Sequence, residues 1–240
     1  MAGTNYKLVN KKKTITVFIL TIVLGYILFI IPDVFFGVTK INGGKKGINL
    51  LFIALFQFFS VTALLYTSLK ILKKDFNYIG FKLVNIKKDI LLGLAFGALW
   101  TILQFAVIIP NTGGANRQDI IGMLSMYDGN LISILSFIAL GIIGGGITEE
   151  LFNRGYFINV LKSLFKNETN GLWFSGVLSI IVFAFGHMPI NALEWFDILI
   201  PTIIIYTLLF IKTKHLTASI LAHGTYNMLA IILTYNLYFN

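Results

Sequence analysis

Long apolar runs that a bilayer would accept recur seven times along this chain, and that repetition constrains its fold more than any other feature. A span needs roughly 20 apolar residues, and in hydrocarbon each backbone N–H and C=O must be satisfied within its own helix. The expected fold is therefore all-α, a polytopic transmembrane helical bundle forming one membrane-embedded domain over residues 1–240. Its seven spans are read at 14–31, 47–69, 90–109, 131–165, 171–187, 195–211 and 216–238, with six to eight as the range. The sixth run is short and carries Pro201, so it is expected to begin nearer Ala192 or to be irregular.

Composition agrees: 57% of residues are hydrophobic and only 12% charged, and there is no cysteine for a disulfide, a thiolate metal site or a cysteine nucleophile. The net charge of +9 does not point to nucleic acid, because the cations sit between apolar runs where they set orientation. With the N-terminus cytoplasmic, 15 cations fall on the inner side. They are Lys7, Lys11, Lys12 and Lys13, then Lys70, Lys73, Lys74, Lys82, Lys87 and Lys88, then Arg154, Lys162, Lys166, Lys212 and Lys214. Only Lys40, Lys45, Lys46 and Arg117 fall outside, so seven spans with an external C-terminus form a consistent topology. The N-terminal lysines before residue 14 resemble a signal peptide, but no small-x-small cleavage site follows and the apolar run is nearer span length.

Of these runs, only the fourth carries a carboxylate pair, Glu149 and Glu150, with Arg154 one turn further on. Acids at that depth are costly and mark a functional site. On a continuing helix Glu150 and Arg154 share a face and can pair, whereas Glu149 has no sequence-local cation. Glu150 with Arg154 therefore reads as structural support, and Glu149 as a free carboxylate suited to general-base work on water.

Two of the three histidines also lie in spans. The fifth run ends in Phe183-x-x-x-His187 and the seventh contains His223-x-x-x-Asn227, each pair sharing a helical face. His215, flanked by Lys212 and Lys214, reads as solvated or headgroup-facing. One buried histidine could simply bond two helices together; a carboxylate pair, two histidines and an asparagine on three helices call for a shared polar cavity. Gly141 and Gly145, with Gly144 and Gly146 beside them, read as helix packing, as does Trp100, while Trp173 and Trp195 read as interfacial anchors. No H-E-x-x-H, rhomboid-type G-x-S-G or presenilin-type G-x-G-D is present.

Glu149-Glu150-x-x-x-Arg154, Phe183-x-x-x-His187 and His223-x-x-x-Asn227 resemble, in order, spacing and placement, the three motifs of the CAAX protease and bacteriocin-processing family. This family is also called type II CAAX prenyl endopeptidase or Abi. The resemblance covers roughly the last 95 residues and departs from the family at Asn153, where an aromatic residue is common. It implies an intramembrane endopeptidase in which Glu149 and His187 activate water, His223 and Asn227 stabilise the oxyanion, and Glu150, Arg154 and Phe183 support them. No cofactor is required on this reading; the zinc alternative would use Glu149, His187 and His223.

The implied partners are the lipid bilayer and a membrane-associated peptide or protein, in CAAX-type or peptide-precursor processing, bacteriocin maturation or immunity. The Lys, Ile and Asn content points to a bacterial cell membrane. Two other classes stay open: a non-catalytic membrane immunity or scaffold protein, and a proton-coupled transporter, which the absence of an internal repeat disfavours.

Overall fold

The computed structural model describes residues 10–239; Lys7, one of the N-terminal lysines counted above, lies outside the described residues. Among the described residues the chain is all helical without strands, and seven of its helices are long and apolar enough to cross a membrane. These are α1 (Lys11–Thr39), α2 (Asn49–Ile71), α3 (Ile86–Asn111), α5 (Leu131–Lys162), α6 (Glu168–Gly186), α7 (Ala192–Thr213) and α8 (Leu216–Tyr238). A short α4 (Gln118–Leu124) lies in the connection between α3 and α5.

Asparagine starts several of these helices. Asn10, Asn130, Asn167 and Asn191 stand at the N-caps of α1, α5, α6 and α7, and each side chain accepts from the backbone N–H three residues on. Such a cap satisfies a donor that would otherwise be orphaned at the membrane surface. Glu194 reaches back over the start of α7, its carboxylate accepting from Ile190 N–H and from Asn191 Nδ2, each at 2.9 Å.

Two helices depart from α geometry. In α5 the ladder widens to i→i+5 from Leu140 to Phe157, a stretch holding five glycines, whose weak α propensity makes it easier to deform. In α7 the same widening runs from Thr202 to Thr207, directly after Pro201 withholds its N–H.

Helix α8 packs against both α3 and α5, and small residues bring the backbones together. A Cβ placed on Gly97 would stand 2.6 Å from the Ala222 carbonyl oxygen, and one on Gly146 would stand 2.9 Å from Gly224 Cα. The bundle is filled at its lysine-rich end by Phe18, Val61, Leu65, Phe152, Tyr156 and Phe157, which join α1, α2 and α5. Tyr156 OH donates to Thr21 Oγ1 at 3.1 Å in that cluster. Trp100 is buried among Ile205, Tyr206 and Leu209 as packing.

Two sequence expectations need correction. Carboxylates are not confined to the fourth span: α3 starts ahead of residue 90 and includes Asp89, which is buried, and α7 starts at Ala192 and includes Glu194 as well as Asp197. His215 is not solvated, because its Nδ1 lies 3.2 Å from Asp89 Oδ2 in a buried pair between α3 and the start of α8. Lysine neighbours in sequence suggested exposure, but the helix start turns this ring inward.

Because the Gly146–Gly224 contact is backbone against backbone, no side chain can move aside. Gly146→Val should lower stability by about 1–3 kcal/mol, a typical overpacking cost. Thermal unfolding of the detergent-solubilised protein, compared with Gly122→Val, where nothing stands within 4 Å, measures it.

Candidate active site

The side chains singled out by the sequence come from three helices and divide into two layers. Glu149 of α5, Phe183 and His187 at the end of α6, and His223 and Asn227 of α8 line one cavity of about 760 Å³. Glu150 and Arg154 lie behind that wall, both with 0% side-chain exposure.

In the hidden layer a single oxygen does the joining. Glu150 Oε1 lies 3.0 Å from Arg154 Nη1 and 2.9 Å from His223 Nδ1, tying α5 to itself and to α8. The Arg154 contact is an ion pair by distance without hydrogen-bond alignment, and its other guanidinium nitrogens meet no acceptor. Aromatic faces take their place. Arg154 Cζ lies 4.2 Å from the Phe183 ring centroid and 5.4 Å from that of Tyr206, so the cation is held between α6 and α7. Tyr206 in turn stacks on the His223 imidazole with centroids 4.3 Å apart and planes 16° from parallel.

In the cavity layer, each residue except Glu149 commits one polar atom to position and keeps another. With Glu150 as acceptor, His223 donates through Nδ1, which leaves Nε2 for the cavity. His187 lies at the mouth, exposed, with Nδ1 3.0 Å from the Phe183 carbonyl oxygen; a carbonyl can only accept, so Nδ1 carries the proton and Nε2 is again free. The imidazole rests on Phe183 at 4.3 Å between centroids.

Asn227 Nδ2 donates one proton to the Gly141 carbonyl at 2.9 Å, leaving a second N–H. A Cβ on Gly145 would stand 2.4 Å from that nitrogen, so the glycines expected to serve helix packing also form the floor on which Asn227 sits.

Glu149 is the exception. Its Oε2 is buried and meets no partner, and it stands on the wall of the cavity. Asn153, where the sequence departs from the motif, donates from Nδ2 to the Glu149 backbone carbonyl at 3.1 Å and accepts from Tyr26 OH at 3.1 Å. It braces the Glu149 backbone and leaves the carboxylate alone. Anchored donors and an unpaired carboxylate around one cavity are parts that acyl hydrolysis needs.

The zinc expectation can be tested on this geometry. Among the described residues no three His, Cys, Asp or Glu side chains converge as a ligand set, although His187 and His223 both keep Nε2 free.

Sequence reasoning missed Tyr206 and Asp197. Tyr206 is a tyrosine inside an otherwise aliphatic run, which could have marked it. Asp197 stands four residues before Pro201, at the edge of the sixth span, where it was given no role. Arg117 is also buried, in the connection before α4, where it pairs with Asp119 at 2.7 Å and with Asp197.

Residues 131–229 match the family model described as type II CAAX prenyl endopeptidase Rce1-like. The matched segment runs from the start of α5 into α8 and contains all three motifs. Neither a curated protein nor a solved structure matches the chain.

Removing one partner of a buried ion pair leaves a charge without compensation. Arg154→Ala should cost about 3–5 kcal/mol, while Glu150→Gln with Arg154→Met should recover most of that stability. Thermal unfolding of both variants checks the sign, and the double variant should still lose activity because His223 loses its charged anchor.

Proposed function

We propose, from the premise that residues 131–229 carry a domain of the CAAX protease family, that this integral multi-pass membrane protein is a peptidase hydrolysing a peptide bond of a membrane-associated peptide or protein by glutamate-activated water. The observation that carries the reading is the contrast within one cavity. Three polar residues are each anchored by one atom, and facing them is a carboxylate oxygen with no partner.

The chemistry follows from those free atoms. A water held between Glu149 and His187 Nε2 gives its proton to the Glu149 carboxylate as its oxygen bonds the scissile carbonyl carbon. The negative charge that develops on the carbonyl oxygen meets Asn227 N–H and the Nε2–H of a His223 imidazolium whose Nδ1–H is held by Glu150, donors preorganised by their anchors. Glu150 Oε1 holds His223 by Nδ1 while the oxyanion exists, and Arg154 pairs with the same carboxylate oxygen. The C–N bond then breaks as Glu149 returns its proton to the leaving nitrogen, which regenerates the base. The products are a carboxylic acid and an amine, and no redox partner is involved.

Glu149→Ala should abolish cleavage while the protein stays folded, since the carboxylate has no structural partner to lose. His223→Gln and Asn227→Ala should each lower kcat by about 10²–10³-fold, the usual size of an oxyanion-donor loss. Cleavage of the natural substrate in membranes from cells expressing each variant, followed by mass spectrometry, decides this. Preserved cleavage by Glu149→Ala would defeat the assignment.

The metal-free form of the mechanism has its own check. Purified active protein should contain far less than one zinc per chain and keep its rate under chelator titration. A rate that tracks stoichiometric zinc would overturn it.

A further inference from the structure

The catalytic cavity is strongly acidic, in a chain that is otherwise basic. Asp33, Asp119, Glu149, Glu194 and Asp197 all line it, five of the ten carboxylates in the sequence, although lysine and arginine together number 19. Among the described residues no lysine or arginine lines it.

Three cations stand behind this wall: Lys45 pairs with Asp33 at 2.7 Å, Arg117 is shared by Asp119 and Asp197, and Arg154 is matched by the buried Glu150. Three positive charges against six carboxylates, Glu150 included, leave the space electronegative. Glu194 has no cation and accepts only from Ile190 N–H and Asn191 Nδ2, each at 2.9 Å. Asp197 Oδ1 is buried and unpartnered. The hydroxyl of Thr202, a cavity-lining residue only 1% exposed one turn beyond Asp197, has no partner either. Hydrogen-bonding capacity is thus left open where the charge is concentrated, away from the anchored His223 and Asn227.

Low-dielectric walls of one charge sign focus the field and favour ligands of the opposite sign. Acceptors without donors favour a group that brings several N–H bonds. We infer that this protease takes cationic peptides, seating a lysine or arginine side chain of the substrate against Glu194, Asp197 and Thr202 while the scissile bond lies at Glu149. The inference rests on the peptidase reading and adds a substrate class to it. A basic residue near the scissile bond is favoured, and an acidic one is repelled from the same place.

The test uses binding, so that it does not depend on turnover. Full-length Glu149→Gln protein in nanodiscs is titrated with fluorescent peptides identical except for Lys, Ala or Glu at one position, and anisotropy is read at low and at high salt. The lysine peptide should bind about tenfold tighter than the glutamate peptide at low salt, with the difference shrinking as salt screens it.

Adding Glu194→Gln should compress that difference; the glutamine can still accept from Ile190 N–H, so the start of α7 is kept. Asp197→Asn should act likewise, and thermal unfolding reports whether Arg117 tolerates the change. Equal binding of the three peptides, or a preference that Glu194→Gln leaves untouched in a folded protein, overturns the inference. The peptidase reading fails separately, if protein with Glu149 intact cuts none of the peptides it binds.

Discussion

The shared oxygen of Glu150 is the contact on which the site depends. It reaches Arg154 on its own helix and His223 on α8, and Arg154 is clasped by Phe183 of α6 and Tyr206 of α7, so four helices meet at one buried charge. Desolvating such ions costs several kcal/mol each, so a pair like this is weak evidence for stability. Its effect is orientation: the imidazole of His223 is fixed by an acceptor at Nδ1 and by a stacked ring, and only Nε2 is left to act.

The same division between holding and acting runs through the cavity. His187 is held by the Phe183 carbonyl and Asn227 by the Gly141 carbonyl, so backbone oxygens as well as charges do the positioning. The wide-turn segment of α5 provides part of this frame. Its glycines bring α8 close, give Asn227 an acceptor and leave room for its amide, while the same segment carries Glu149 and Glu150 on opposite sides of the cavity wall. Helix packing and catalytic geometry are therefore one requirement here: a side chain on Gly145 would disturb both.

Charge is arranged on two scales. Along the chain, lysines gather in the connections at one end of the bundle. Around the cavity the carboxylates of α1, α4, α5 and α7 converge, fewer cations than carboxylates stand behind them, and Glu194 also caps its own helix. A site built this way sorts its ligands by sign before any shape is read.

Much was legible in the sequence for simple reasons. A bilayer admits only long apolar helices here, so hydropathy alone determines an all-helical membrane bundle, and the cost of burying acids and imidazoles marks Glu149, Glu150, His187, His223 and Asn227 as a group. Spacing of four residues also suffices to pair Glu150 with Arg154, because that contact is local. Other features were beyond it. That Glu150 also holds His223, that His215 turns inward to Asp89, that Tyr206 stacks on an imidazole and that Asp197 joins the cavity wall are contacts between residues distant in the chain or placed by helix starts that hydropathy blurs. Sequence by itself determined which residues are too costly to bury without a purpose, since that cost belongs to each side chain. Only the tertiary structure decided which atom of each is spent on support and which is left for chemistry, since a hydrogen bond depends on where its partner from another helix comes to rest.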